Sequence, residues 1–473
     1  MIKLTLGEVV QALNGRMLGE APGCSISGVS TDTRQIGEGD LFFAIRGERF
    51  DGHDFVVDAL DRGASFAVVE SARYSSSAAV RANKSASAAR LIFVDDTVTA
   101  LGRLAAFHRP LVAAPVIGVV GSNGKTTTKC MIDHVLAGAR RGRSSPKSFN
   151  NAIGVPLTLL SAGLSDEYLV VEIGTNAPGE IGALAAIAKP DAAVLTSIGE
   201  EHLEGLGSLA GVAAEECMVF EHIPSGGAAV VNIDAPEVQA RLPNRGVKIV
   251  TYGARSDADL RISEASFAAP WLRFRINDRF DYRLRAPGLH NAWNATAAIA
   301  IGRRFGIEHA DIAARLETFA LPAMRMETVE VGGVIFVNDA YNANPTSVEA
   351  AITTLASFPT EGRRVVVLGE MRELGKHSQY LHRRVGSSLA QSGVNHALLV
   401  GMAASAYADG IQSSETGLTW ELVADAAEAA RRLIDLCRPG DVVLLKASRA
   451  VGLERVIELL SARMASPPTT SVA

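Results

Sequence analysis

The chain has 473 residues, 48% of them hydrophobic and 21% charged, with a net charge of −5. That length exceeds one ordinary domain and points to about three, and the composition suits soluble domains with full cores. The mild negative charge argues against a generic nucleic-acid binder, which would carry a basic face. No run approaches the roughly 18 apolar residues of a membrane span.

The N-terminus, MIKLTLGEVVQAL, lacks the long apolar core of a signal peptide. Cys24, Cys130, Cys217 and Cys437 are scattered without a C-x-x-C, as in a reduced cytosolic protein with no zinc site or disulfide frame. The expected location is cytoplasmic, and a monomer is the default. Residues 1–110 mix short β-runs (LFFAI, SFAVVE, LIFVDD) with helical patterns, a small α/β N-terminal domain. HRPLVAAP, 108–115, carries two prolines and reads as a linker.

In residues 111–320 the buried-strand candidates VIGVVG, LVVEIG, AAVLTSIG and AAVVNID alternate with helices. That alternation implies βαβ units and a mostly parallel sheet. At its start stands GVVGSNGKTTTK, 118–129. The apolar run reads as a strand, the glycine-rich turn as a phosphate-cradling loop and the threonines as the start of a helix. Gly121 and Gly124 let the backbone approach an anion, and the helix adds its positive end. Lys125 can reach terminal phosphates, and the Thr126 hydroxyl can ligate Mg²⁺. The spacing departs from G-x-x-x-x-G-K-[ST], because Val119 stands where the first glycine belongs. A ligand-free strand–helix turn is the bland alternative; the residues favour a nucleoside triphosphate.

The basic run Arg140, Arg141 and Arg143 reads as a solvated loop. In SFNNAIGVPLTLL, Asn150 and Asn151 either cap the next helix or hydrogen-bond a polar substrate. Glu172 ends the apolar LVVE run, placed to hold Mg²⁺ or else to face solvent. His202 follows the strand AVLTSIG, a metal ligand or a structural histidine. In GLHNAWNATAAIAIG, His290, Asn291 and Asn294 open a helix, the two asparagines on one face.

A break near Leu321-Pro322 starts a third section, 321–465, where VIFVND, RRVVVLG, HALLVG and GDVVLLKAS again alternate with helices. This predicts a second, smaller Rossmann-like sheet. VNDAYNANPTSVEAAI sets Asp339, Tyr341, Asn342 and Asn344 on a strand-to-helix loop, with Pro345 in the first helical turn. KASR places Lys446 and Arg449 at another strand end, ready for phosphate or carboxylate. The tail SPPTTSVA, 466–473, is expected to be disordered. Ligands of open parallel sheets gather beyond the carboxyl ends of the strands. The polar strand ends therefore describe one cleft between two α/β domains.

These strings resemble the Mur ligases, the ATP-dependent amide-forming enzymes of peptidoglycan assembly, whose phosphate loop has the form G-T-[NK]-G-K-T where this chain has GSNGKT. STDTRQIGEGDLFFAIRGERFDGHDF (30–55), FNNAIGVPLTLL, GSLAGVA, NDAYNANP, VVVLGEMRELG and LLKASR are similar to the branch that adds D-alanyl-D-alanine to UDP-N-acetylmuramoyl-tripeptide. The resemblance runs in order through all three sections. It implies three domains: a small α/β N-terminal domain, a central parallel-sheet P-loop ATPase domain and a C-terminal Rossmann-like domain.

By the resemblance, ATP lies on Gly121, Ser122, Asn123, Gly124, Lys125, Thr126 and Thr127, with its base near Asn291, Asn294, Arg325 and Asp339. Thr126 and Glu172 hold Mg²⁺. The uridine end of the substrate binds Ser30, Thr31, Asp32, Arg34, Asp51, Gly52 and His53. Asn150, Asn151, Tyr341, Asn342, Asn344, Lys446 and Arg449 meet the rest of the substrates. The family also places a carbamylated lysine after GSLxGVA, bridging to a second metal with the histidine that matches His202. Gapless alignment puts Glu216 there, and no lysine occurs between Lys189 and Lys248. Glu216 is therefore expected to replace the carbamate as a catalytic and metal-facing residue, though its carboxylate falls about 3–4 Å short; Glu215 is the second candidate. Ala177, Met218 and Ala447 also depart from the family pattern. Two rival readings are a paralogue with another amino donor and a non-catalytic binder of UDP-muropeptide or nucleotide.

Overall fold

The computed structural model describes residues 3–18, 23–74, 88–243, 246–414 and 416–465. The tail expected to be disordered, 466–473, lies outside them. The chain folds into α/β layers around three main sheets.

The first sheet has five strands in the order Arg16–Met17, Leu91–Val94, Phe66–Glu70, Asp40–Phe43, Gly28–Ser30. All neighbours are parallel except the short Arg16–Met17 edge. The helix Thr97–His108 covers one face, started by Asp96, whose side chain accepts the Thr99 N–H at 2.6 Å. The expected linker is anchored. Arg109 is buried and donates to the carbonyls of Val112, Ala188 and Lys189 and to the Asp191 carboxylate.

The central sheet has nine strands. From one edge they run Gly142–Ser144, Tyr168–Glu172, Val116–Val120, Ala192–Leu195, Ala228–Asn232, Lys248–Gly253 and Leu260–Ala268, all parallel. Four of these are the expected buried runs. Every residue of Val116–Val120, Tyr168–Glu172, Ala192–Leu195 and Ala228–Asn232 is buried, as befits a sheet covered on both faces.

At its far edge the sheet ends in a ribbon that sequence periodicity did not separate from the βαβ pattern. Leu260–Ala268, Trp271–Ile276 and Phe280–Leu284 pair antiparallel with no helices between them. The second turn of the ribbon sets Asn277 and Asp278 at positive φ, which these residue types tolerate best after glycine.

The third sheet has six strands in the order Glu327–Val331, Val334–Asn338, Val442–Lys446, Arg364–Leu368, His396–Val400, Thr419–Val423, and only the first is antiparallel. This is the Rossmann-like sheet expected. The helix Pro345–Ala356 begins with Asn344 as its cap, in a reciprocal box with Ser347, and with Pro345 at its start.

Apolar packing joins the three parts. One core runs from Leu4 and Phe43 through Leu104 into Val120, Leu159 and Leu195, uniting the first sheet with one face of the central one. Another joins Leu203 and Val212 to Val337, Leu355 and Leu374.

His108, at the end of the helix that welds the first part to the second, is fully buried. Burial pushes its imidazole down to about 4 from an ordinary 6.5. As pH falls through that window the unfolded chain takes up a proton that the folded chain refuses, so stability falls. The loss amounts to about 3 kcal/mol once the folded value is passed. Urea midpoints at about pH 7 and about pH 4.5 should therefore differ less in His108→Gln than in the parent.

Candidate active site

Four central strands end on one side of the sheet, and each end carries a polar residue or a glycine turn. Val116–Val120 leads to Gly121, Tyr168–Glu172 stops at Glu172, Ala192–Leu195 leads to Thr196, and Ala228–Asn232 stops at Asn232. Beyond them lies a cavity of about 740 Å³. Its walls come from the central part and from the third sheet's Asp339–Asn344 loop, as the strand-end argument predicts.

The glycine-rich loop turns between Val116–Val120 and the helix Lys125–Ala137. Gly121 has φ +118° and Gly124 φ +84°. A side chain at either would collide, at 2.4 Å with Thr196 Oγ1 and at 2.3 Å with Asn294 Oδ1. Much of the loop is held from within the protein. Ser122 N–H donates to Ser197 O and Asn123 N–H to Ser197 Oγ, each at 2.9 Å. Thr196 Oγ1 donates to Asn123 O at 2.6 Å. Gly121 N–H is not turned to the cleft either: Glu216 Oε2 accepts it at 2.7 Å. The donors left without partners are those of the helix start. The first helical bond is Thr128 N–H to Gly124 O at 2.8 Å, so the amides of Lys125, Thr126 and Thr127 are spare.

Gly124→Ala is expected to lose stability. The left-handed backbone costs about 1–2 kcal/mol. The new Cβ also displaces Asn294, whose Oδ1 accepts Thr128 Oγ1 at 3.2 Å and whose Nδ2 donates to Asn291 Oδ1 at 3.0 Å. Thermal unfolding would show a lowered midpoint.

Three carboxylates and an ammonium stand around the loop. Lys125 Nζ donates to Gly121 O at 2.5 Å and lies 3.5 Å from Glu201 Oε1. Burial alone would lower its pKa, but Glu201, Glu216 and Glu172 overcome that and hold it above the ordinary lysine value. Glu172 is buried, and its Oε1 accepts Thr126 Oγ1 and Asn150 Nδ2, each at 3.1 Å. Its Oε2 has no hydrogen-bond partner. A buried carboxylate with one oxygen on a threonine hydroxyl and the other without a hydrogen-bond partner is a hard-oxygen set that suits Mg²⁺. Among the described residues no three His, Cys, Asp or Glu side chains form a complete metal cage.

His202, at the left-handed start of Leu203–Leu206, turns Nδ1 to Glu373 of the third part and holds Nε2 at 3.7 Å from Glu201 Oε2. Burial opposes its protonation, yet the two carboxylates raise its pKa. Glu216 is fully buried, and burial pushes its carboxyl up to about 7 against the pull of Lys125. It sits behind the loop and does not line the cavity. Glu215 serves elsewhere: it accepts Gly179 and Ile181 N–H at the start of Glu180–Ala188.

The remaining expected residues divide into two groups. Ser122, Asn123, Gly124, Thr127, Asn150, Asn151, Asn291, Asn294, Arg325, Asp339, Tyr341, Asn342, Asn344, Lys446 and Arg449 all line the cavity. Asn151 also takes the bland role, accepting Ile153 and Gly154 N–H. Arg325 donates to Thr126 Oγ1 at 3.1 Å and stacks on Tyr341. Asn344 Nδ2 donates to Asn123 Oδ1 at 2.8 Å, so a helix cap of the third part touches the glycine-rich loop. Lys446 is not a free cation: it donates to Asp339 Oδ2 at 2.5 Å and to Asn342 O at 3.1 Å.

Ser30, Thr31, Asp32, Arg34, Asp51, Gly52 and His53 do not line the cavity. They stand in the first part. Asp32 pairs with Arg34, and Asp51 accepts His53 Nδ1 at 2.7 Å and Arg73 Nη1 at 2.8 Å. His53 Nε2 accepts Glu70 N–H, which leaves the ring's proton on Nδ1.

Sequence reasoning missed Glu201, Trp293 and Glu373, which also line the cavity. The doubled acid in GEEH was the available signal for Glu201.

Comparison with known proteins agrees with this arrangement. Family models described as Mur ligase family, catalytic domain; Mur ligase middle domain; and Mur ligase, glutamate ligase domain match residues 25–109, 119–302 and 324–449. The chain is 34% identical over 461 residues to the UDP-N-acetylmuramoyl-tripeptide–D-alanyl-D-alanine ligase of Bacillus subtilis, covering 97% of this chain and 98% of the relative. It is also 34% identical to the Escherichia coli protein of that description, over 97% of this chain and 99% of the other. A crystal structure of MurF from Acinetobacter baumannii superposes with a TM-score of 0.85 at 30% identity, over 98% of this chain and 99% of that one. MurF ligase from Thermotoga maritima in complex with ADP gives a TM-score of 0.78 at 29% identity, over 93% and 98%. With the glycine-rich loop, the three α/β parts and near-complete coverage all in agreement, the chain belongs to the Mur ligase family.

Proposed function

We propose that the chain is an ATP-dependent ligase that joins D-alanyl-D-alanine to UDP-N-acetylmuramoyl-tripeptide. The observation that carries this is a single cavity lined both by the glycine-rich loop and by the Asp339–Asn344 loop of the third part. Relatives of that description, aligned over nearly the full chain, support the choice of substrates.

A carboxylate is a poor electrophile at neutral pH, so the reaction needs a leaving group. The tripeptide's terminal carboxylate oxygen attacks the γ-phosphorus of ATP. The bond to the β–γ bridging oxygen breaks, and ADP departs from an acyl phosphate. The amine of D-alanyl-D-alanine then attacks the acyl carbon, and collapse of the tetrahedral intermediate releases phosphate and a proton. The spare amides of Lys125, Thr126 and Thr127 receive the phosphates, and the Lys125 ammonium offsets charge that builds on them. Thr126 and Glu172 would hold Mg²⁺, which when bound neutralises phosphate charge. Asn344 on Asn123, Arg325 on Thr126 and Glu373 on His202 close the third part over the loop, which excludes water from the acyl phosphate. The uridine end belongs to the first part, around Asp32, Arg34 and the Asp51–His53 turn.

The test is ADP and phosphate release from purified protein, omitting each component in turn, with the product weighed by mass spectrometry. Release should require ATP, Mg²⁺, the UDP-tripeptide and the dipeptide together, and the product should be the UDP-pentapeptide. Turnover with a different amino donor alone would overturn the choice of substrate. Nucleotide binding without turnover would overturn the ligase.

A further inference from the structure

Lys129 lies one helical turn beyond Lys125, on the buried side of Lys125–Ala137, and is 1% exposed. A lysine is almost never fully buried unless paired. Its Nζ donates to Ser145 O at 2.6 Å and to Lys147 O, and stands 3.7 Å from Glu172 Oε2. The two carbonyls belong to the segment that succeeds the edge strand Gly142–Ser144. Lys147 there has φ +47°, a left-handed conformation that an L residue adopts only when held. The same segment brings Ser148 Oγ to 3.1 Å from Thr126 Oγ1 and Asn150 Nδ2 to 3.1 Å from Glu172 Oε1. Ser145 adds a further tie, its Oγ accepting Glu172 N–H at 3.0 Å.

We propose that Lys129 is a positioning residue: it clamps segment 145–150 to the phosphate-loop helix and holds the Glu172 carboxylate, by its charge, in the orientation that a divalent cation beside Thr126 needs. The geometry separates its two tasks. The ammonium gives its close hydrogen bonds to the carbonyls. At 3.7 Å it is near enough to Glu172 to attract the carboxylate, yet it leaves Oε2 without a hydrogen-bond partner. The other oxygen is fixed by Thr126 and Asn150, so the carboxylate cannot swing. Lys129 does not line the cavity and touches no substrate. This role rests on the proposed nucleotide site.

The test measures binding of a fluorescent methylanthraniloyl derivative of ADP as Mg²⁺ is titrated, in the full chain. Partners that orient a metal ligand are typically worth about 10–100-fold in metal affinity. Lys129→Met should therefore raise the Mg²⁺ concentration needed for half-maximal enhancement by about 10–100-fold, with binding in the absence of Mg²⁺ within about twofold of the parent. Glu172→Gln should show the same loss, and the double variant should lose no more than either single one, because the two act as one unit. Lys129→Gln keeps a donor for the carbonyls without the charge and stands in if the methionine variant does not fold. Its Mg²⁺ requirement should rise as well. A folded Lys129 variant with the parent's Mg²⁺ dependence, or additive losses in the double variant, would overturn the proposal. A parent chain that binds no nucleotide analogue would instead overturn the nucleotide site itself.

Discussion

Lys125→Met should lower kcat/KM by about 10²–10³-fold, the scale on which removal of one group that stabilises transition-state charge is felt. Methionine is close to the side chain in length, so what the variant removes is the ammonium. Its own hydrogen bonds go to Gly121 O and Ser122 O of the loop it belongs to. Its electrostatic setting favours the charged form in spite of burial. It stands at the loop with Glu201, Glu216 and Glu172 around it, and these carboxylates outweigh its burial. Such an ammonium stays charged throughout the working pH range. The loss should therefore appear as a lower kcat with little change in the tripeptide KM. Steady-state rates with each substrate varied in turn would check it. A loss confined to the tripeptide KM would assign Lys125 to ground-state binding instead.

The contiguous features were legible in the sequence and the convergent ones were not. GSNGKT announced a strand, a loop and a helix because all three lie within a dozen neighbouring residues and each has its own local chemistry. Asn344 and Pro345 announced a helix start for the same reason. Tyr168–Glu172 read as a buried strand because both faces of a covered parallel sheet demand apolar residues. The antiparallel ribbon 260–284 was passed over. Its LRISEASFA, WLRFRI and FDYRL runs alternate with period two and are joined by short turns, the available signal of an antiparallel ribbon against the βαβ pattern around it.

Contacts between distant segments carried no such signal. Lys446 read as a cation at a strand end, but its partner Asp339 directly follows a strand far earlier in the chain, brought alongside by the parallel register of Val334–Asn338 with Val442–Lys446. Lys129 drew no notice as the last letter of a motif. Only folding brings the edge-strand segment onto it. For Glu216, alignment put the residue at the family's metal-facing lysine position, whereas the fold sets its carboxyl behind the phosphate loop, on Gly121 N–H and outside the cavity lining.

Glu216 decides how this chain differs from the family pattern, and its variants separate two tasks. Its Oε2 holds the Gly121 N–H, and its Oε1 is buried with no hydrogen-bond partner. Glu216→Ala leaves that amide without an acceptor, which costs about 1–3 kcal/mol of stability, so the denaturation midpoint should fall. Glu216→Gln keeps an amide oxygen for Gly121 and should fold like the parent. What it loses is the negative charge beside Lys125, which a carboxyl pushed up to about 7 carries chiefly above that pH. Turnover in Glu216→Gln should therefore drop on the order of tenfold above about pH 7, about 1.4 kcal/mol in the barrier, and approach the parent's as pH falls below it. A glutamate needs no CO₂ to supply a carboxylate, whereas a carbamate must be made from it. Added bicarbonate should consequently leave the parent's rate unchanged. A bicarbonate-dependent rate would mean that a lysine outside this position is modified. A Glu216→Gln variant as fast as the parent would reduce Glu216 to a brace for the loop, with its charge idle.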